Sequence, residues 1–204
     1  PMVYISGAIV YADILKQNQT EDSELGWNGF GGAYGLSKLQ AEDIFQRLRE
    51  QGLKCAIIRA SSIYGYGMKS DKMIMRFIKL ASAGQEIRLK EPLDESVDLI
   101  HAFDVSQAAI KIIEQECWDV FNIASGKPAS ILQVAEDCLR IIKTGSLFVE
   151  GKASDGNKPI TRFSLSTEKA LRKLGWRSAV SVEDGIKMTV NKSTLFPLAD
   201  QMSK

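Results

Sequence analysis

Tyr34-Gly35-Leu36-Ser37-Lys38 places a phenol and an ammonium four residues apart. On a helix, positions i and i+4 share one face. A cation one turn from a phenol favours the phenolate, so the pair suits proton transfer. Alone, the same spacing also describes a half-exposed helix tyrosine beside a solvated lysine. Context separates the two. The pair opens a helix, follows a loop carrying Gly26, Gly29, Gly31 and Gly32, and lies between two apolar segments.

The elements that must position the pair can be read from periodicity. Met2 to Ile5 is a short apolar run and reads as a buried strand. Leu36 to Gln51 reads as a helix, with Leu39, Ile44, Phe45 and Leu48 at helical spacing and Gly52 to end it. Lys54 to Ala60 is a second buried strand. Strand, helix, strand without a hairpin signal favours a parallel βαβ unit. Further helices are expected over 70–82, over 104–116 with Asp104 as N-cap, and from Ser130, where Gln133 completes a capping-box pattern. Short strands are expected at 86–89, 97–101, 118–123 and 147–150. Two last helices are expected near 167–174 and 181–193, after a polar loop over 151–159.

Composition narrows the function. The 204 residues are 45% hydrophobic, enough for one core or two small ones. With 26 basic and 25 acidic residues the net charge is +1, and no polybasic run appears, which argues against nucleic acid and anionic membrane as partners. Cys55, Cys117 and Cys138 form no C-x-x-C pair and fit a reducing, cytoplasmic setting better than a disulfide scaffold. One histidine, His101, and scattered cysteines make a zinc site a poor expectation. No apolar run approaches the roughly 20 residues of a membrane span. No signal-peptide pattern shows at Pro1-Met2-Val3.

Several segments, in order, carry a resemblance. They are Val3-Tyr4-Ile5-Ser6 with Val10-Tyr11, Tyr34 through Glu42, Ile57-Ile58-Arg59, and Ile63-Tyr64-Gly65-Tyr66-Gly67-Met68. Asp98 through Val105, Phe121 through Gly126 and Lys169 through Trp176 continue the series. Together they resemble the extended short-chain dehydrogenase/reductase family, of the NAD-dependent epimerase/dehydratase type that acts on nucleotide sugars. The resemblance implies an α/β fold: the C-terminal part of a Rossmann-like doubly wound parallel sheet, over 1–62, and a smaller mixed α/β substrate lobe interleaved with it, over 63–204. It implies NAD or NADP as cofactor and a sugar or nucleotide-sugar substrate.

The resemblance also implies roles. Tyr34 exchanges a proton with a sugar hydroxyl while hydride passes to or from the nicotinamide. A phenol of pKa near 10 needs about 4 kcal/mol of help to ionise near neutrality, which Lys38 and the cationic nicotinamide would supply. Lys38 also holds the nicotinamide ribose, and Ser61 lies where the backbone meets the nicotinamide. Ser62 and Arg162 are candidates for substrate contact. The third catalytic hydroxyl of the family counts to Gly7, with Ser6 adjacent. Neighbouring strand residues face opposite ways, so Ser6 serves only if a local bulge turns it inward.

Other departures bear on the substrate. The positions that handle the sugar-nucleotide anion carry Met73 and Val97. The family's opening strand and Gly-x-x-Gly-x-x-Gly turn have no counterpart here, and Gly65-Tyr66-Gly67 lacks the third glycine. The chain is therefore expected to be truncated, to bind no NAD by itself, and either to self-associate or to pair with the missing N-terminal half through the open edge at Met2–Ile5. A second reading stays open, that of a catalytically silent domain serving as an interaction or substrate-lobe module. His101 and Asp104 are read as structural, Asn122 as fixing the Ser125-Gly126 turn, and Trp118 and Trp176 as core anchors. Met68, Met73 and Met75 are read as apolar filling.

Overall fold

The computed structural model describes residues 1–13, 15–27, 29, 31–68, 72–90, 93, 95–151 and 163–192. At its centre lies strand β2, Cys55–Ala60, every residue of which is buried. Strand β1, Met2–Gly7, runs parallel to it with Met2 opposite Cys55 and Gly7 opposite Ala60. On the other side β7, Val120–Ile123, is also parallel, with Ala60 opposite Ile123. The order β1-β2-β7 leaves β1 at an edge among the described residues.

The sheet has helices on both faces, and β2 shows why. Alternate residues of a strand face opposite ways. Ala56, Ile58 and Ala60 join a core with Val105, Ala108 and Ile112 of helix α3, Ala102–Glu114, and with Ala170 and Leu174 of α5, Glu168–Leu174. Arg59, with the opposite parity, instead meets Glu42 of α1, Gly32–Glu50. A strand covered on both faces is the parallel α/β arrangement.

A second apolar core joins α2, Met73–Ser82, α4, Ile131–Ile142, β4, Glu86–Lys90, and α6, Val182–Val190. Strand β4 pairs in parallel with β9, Ser146–Glu150. Two short pairs lie beside it: β3, Ser62–Tyr64, runs parallel to β6, Leu99–His101, and β5, Ser96–Val97, antiparallel to β8, Ala129–Ser130.

Several expectations need correction. The run at Met2–Ile5 is a strand but not a buried one, because it forms the sheet edge: Met2 and Ile5 are exposed, and Ser6 is its one buried residue. Helix α1 begins at Gly32, not Leu36, because Gly31 takes a left-handed φ of 76° at the N-cap and lets the chain turn in earlier. Tyr34 therefore sits in the first turn. Helix α3 is capped by His101, whose Nδ1 accepts from Phe103 N–H at 3.2 Å. Asp104 does not cap; its buried carboxyl accepts from the N–H groups of Ala179 and Val180 at 3.0 and 3.1 Å. Asn122 does not hold the Ser125-Gly126 turn, because Tyr11 Oη donates to its Oδ1 and its Nδ2 donates to Gln19 O. Asp98 holds that turn, accepting from the N–H groups of Ser125 and Gly126. Ser130 does cap α4, accepting from Gln133 N–H at 3.1 Å. The Gln133 amide turns to Asp137 instead of closing the box.

Candidate active site

A cavity of about 630 Å³ opens where β1, β2 and α1 meet the second core. Ser6 and Gly7 at the end of β1, Tyr34 at the start of α1, and Ser61 and Ser62 after β2 all line it. The expected polar residues thus share one wall region. Arg162 lies outside the described residues.

Tyr34 is 58% exposed, so its ring stands on the surface of α1 and is not fixed by packing. Ser37 Oγ donates to the Tyr34 carbonyl at 2.7 Å, a local bond within the first turns. Lys38 Nζ donates to Ile5 O at 2.8 Å and lies 5.5 Å from the centre of the Tyr34 ring. It also lies 4.8 Å from the Tyr4 ring. A cation within about 6 Å of a ring centroid is attracted to its face.

Ser6 reaches the cavity without a bulge. Its register opposite Arg59 is continuous with Ile5 opposite Ile58 and Gly7 opposite Ala60. The cavity wraps around the strand end, so both Ser6 and Gly7 line it. Ser6 is 3% exposed, and its Oγ has no hydrogen-bond partner among the described residues. Ser61 differs: its N–H donates to Ile123 O and its Oγ to Asp98 Oδ1 at 3.2 Å. Asp98 accepts from Ser125 Oγ as well, so both carboxylate oxygens are engaged.

The far side is largely apolar. Met68, Met73, Ile74, Val97 and Leu99 line it. Met68 and Met73, read as apolar filling, are thus cavity residues, and so is Val97. Lys72 is the one cation among the described lining residues. It is exposed at the N-cap of α2. His101 is buried outside this wall, and burial lowers the pKa of its imidazole, favouring the neutral form.

Sequence reasoning missed Lys72, Asp98 and the pairing of Glu42 with Arg59. A signal for the last existed: Arg59 is the one charge in an otherwise apolar strand, and a buried arginine requires an anionic partner. Burial by itself lowers the Arg59 pKa, but Glu42 overrides that and raises it.

A parallel sheet with helices on both faces and a cavity at its strand ends, lined by a tyrosine of the helix after the first strand, is a Rossmann-like arrangement. The NAD dependent epimerase/dehydratase family matches residues 1–124, and the chain belongs to that family. Among curated proteins, it is 27% identical over 195 residues to dTDP-D-glucose 4,6-dehydratase of Mus musculus, covering 92% of this chain and 54% of that protein. It is also 27% identical over 143 residues to UDP-glucuronate 4-epimerase of Thermodesulfobacterium geofontis, covering 70% of this chain and 44% of that protein. The chain thus spans about half the length of these curated relatives. Among solved structures, UDP-glucose 4-epimerase of Thermotoga maritima, determined with UDP-glucose, superposes with a TM-score of 0.78 at 23% identity, covering 93% of this chain and 62% of that one. The dTDP-glucose 4,6-dehydratase of Bacillus anthracis, in complex with NAD, gives 0.75 at 21%, covering 93% and 60%. These likenesses show the fold. Among the described residues no helix is long and apolar enough to cross a membrane.

Proposed function

We propose that this chain carries the proton-transfer and substrate side of an NAD-dependent epimerase, dehydratase or reductase acting on a sugar of the nucleotide-sugar kind. The observation that carries the reading is the convergence of Ser6, Tyr34, Ser61 and Ser62, from three elements, on one cavity. Lys38, whose ammonium lies 5.5 Å from the centre of the Tyr34 ring, and Ser61, which lines the cavity after β2, would hold the nicotinamide side of the cofactor. When bound, NAD supplies the hydride acceptor. The chain's own part is to move the proton. Tyr34 Oη takes the proton of the substrate hydroxyl as the carbon gives up hydride, and returns it in the reverse step. Lys38 stabilises the phenolate through its charge. Ser6 Oγ donates to the same substrate oxygen and orients it. Lys72, at the other end of the cavity, meets the anionic part of the substrate. Relatives that are themselves enzymes, and the intact Tyr34–Lys38 pair, favour this reading over a silent module.

The test is turnover of UDP-glucose, UDP-glucuronic acid and dTDP-glucose with NAD, using the chain joined to a cofactor-binding segment. Loss of roughly 10²–10⁴-fold in Tyr34→Phe is expected, the usual share of a general acid–base group. A variant keeping more than half the rate would remove the phenol from the mechanism. We also propose that the open edge of β1 pairs with a strand of a cofactor-binding segment or of a second copy, since an unpaired edge invites a further strand. Analytical ultracentrifugation checks this: a monomer at tens of micromolar with slow amide exchange over residues 2–5 contradicts it.

A further inference from the structure

Helix α1 carries the proposed chemistry, and little of its surface is buried. Of its 19 residues only Gly35 and Glu42 are buried, while Leu36, Ile44 and Leu48 remain exposed. An apolar stripe would normally set how a helix sits on a sheet. Here the stripe is thin, and one of its two buried members is a carboxylate.

That carboxylate has a specific partner. Glu42 Oε2 accepts from Arg59 Nη2 at 2.8 Å and from Arg59 Nε at 3.0 Å. Both side chains are nearly removed from solvent, at 4% and 6% exposed. Arg59 Nη1 continues to Glu21 O at 2.9 Å and to Tyr11 Oη at 3.3 Å. Asn122 N–H in turn donates to the Glu21 carboxylate at 2.8 Å. The guanidinium therefore ties α1, β2 and the loop after β1 together.

The placement of this pair relative to the site is what gives it a role. Arg59 is the register partner of Ser6 across β1 and β2. Tyr34, Lys38 and Glu42 follow one another at intervals of four on one side of α1. Along that side Tyr34 meets the cavity, Lys38 meets Ile5 O, and Glu42 meets Arg59. A slide of one residue moves a helix about 1.5 Å and turns it about 100°. Such a slide would carry the Glu42 carboxylate off the Arg59 guanidinium and break the bidentate contact. A buried ion pair adds little stability over an apolar pair, and its best-attested use is to specify register.

We propose that Glu42 and Arg59 are positioning residues that set the register of α1, and thereby hold Lys38 on the Ile5 carbonyl and Tyr34 at the cavity that Ser6 also lines. Their contribution to turnover rests on the reading of Tyr34 as proton carrier, but their effect on Lys38 does not.

The experiment uses the full chain with ¹⁵N-labelled lysine and follows hydrogen exchange of the Lys38 ammonium by NMR, assigned through Lys38→Arg. Lys187, which pairs with Glu183 at 2.8 Å within α6, away from α1, is the internal control. In Glu42→Gln and in Arg59→Met the Lys38 ammonium should exchange about 10-fold faster, the equivalent of one hydrogen bond, with Lys187 unchanged. Glu42→Asp, which keeps the charge one methylene short, should fall between and decides the matter by the same signal if the other variants do not fold. Wild-type exchange at Lys38 overturns the proposal. So does equal acceleration at Lys38 and Lys187, which would mean general loosening. Joined to a cofactor-binding segment, the same variants should lower kcat and leave KM in place. If Tyr34→Phe keeps its turnover, the proton-carrier reading fails, while the ammonium signal still decides the positioning role.

Discussion

Lys38 Nζ donates to the carbonyl oxygen of Ile5 at 2.8 Å, one residue before the buried Ser6. The ammonium that stands beside the Tyr34 ring is therefore also a clasp between α1 and the end of β1. Strand edge and helix face, which an edge strand leaves weakly joined, share this one cation. Its position ties the electrostatics of the phenol to the backbone of the strand that presents Ser6.

Lys38→Met should therefore affect the strand as well as the phenol. A hydrogen bond from a charged group contributes roughly 1.5–3 kcal/mol when sheltered, and this one is partly solvated, so a loss of about 1 kcal/mol is expected. Urea unfolding measures the loss, and faster amide exchange confined to residues 5–7 locates it. A stability loss without any change in exchange there would place the effect elsewhere.

Removing one member of the Glu42–Arg59 pair should be far worse than removing both. Arg59→Leu leaves a carboxylate at 4% exposure without its cation, and such a break costs about 3–5 kcal/mol. Glu42→Leu combined with Arg59→Leu removes both desolvated charges and should recover at least about 1 kcal/mol of that, since buried pairs are often replaceable by apolar residues. Denaturation of the two single variants and the double variant gives the comparison. Additive losses would show that the pair is not coupled.

Acid should weaken the contact between α5 and the entry to β7. Burial by itself raises the Asp119 pKa, but Lys173 at 2.7 Å and Lys169 at 3.0 Å override it and bring the value down to about 2. The unfolded chain, with the carboxyl near 3.8, takes up this proton first as pH falls. The stabilisation is thus complete above about pH 5 and is lost between there and pH 2. The shift corresponds to about 2 kcal/mol, which partial exposure of the partners reduces to about 1 kcal/mol. Between pH 6 and pH 2.5 the wild type should lose about that much more stability than Asp119→Asn. Parallel losses in the two proteins would exclude the contact.

The parts of this structure that were legible in sequence are those fixed by local pattern. The segment 54–60 reads as a buried strand because Cys55 to Ile58 are contiguous apolar residues, and the structure forms the strand one residue later and buries all of Cys55–Ala60. Ser130 caps its helix as its pattern indicates, because a hydroxyl before an apolar run finds a free N–H where the chain turns in. What was hidden depends on contacts between distant segments. The parallel pairing of Glu86–Lys90 with Ser146–Glu150 leaves no local trace, and neither does the capture of the Ala179 and Val180 amides by Asp104. Counting along the chain placed the third hydroxyl position at Gly7. It could not show that the cavity wraps the strand end and reaches Ser6 too.

One such distant contact sets the last prediction. Tyr64 ends β3, the strand that brings Ser62 and Ile63 to the cavity, and it is 1% exposed. Its ring packs edge-on against His101 at 5.2 Å and its hydroxyl points to Ser181 O at 3.5 Å, just before α6. Gly185 lies under that hydroxyl, and a Cβ there would overlap the Tyr64 Oη and ring atoms. Elsewhere in a helix, Gly→Ala gains up to about 1 kcal/mol, but overpacking a tight site costs about 1–3 kcal/mol and here should win. Gly185→Ala should therefore lower stability by about 1–2 kcal/mol. Adding Tyr64→Phe removes the nearest overlapping atom and a long, weak hydrogen bond, so the double variant should regain part of the loss, with the remaining ring contact preventing full recovery. Thermal unfolding of the four proteins reads this directly. If Gly185→Ala alone is as stable as the wild type, Tyr64 has room to move, and α6 does not fix the strand that presents Ser62.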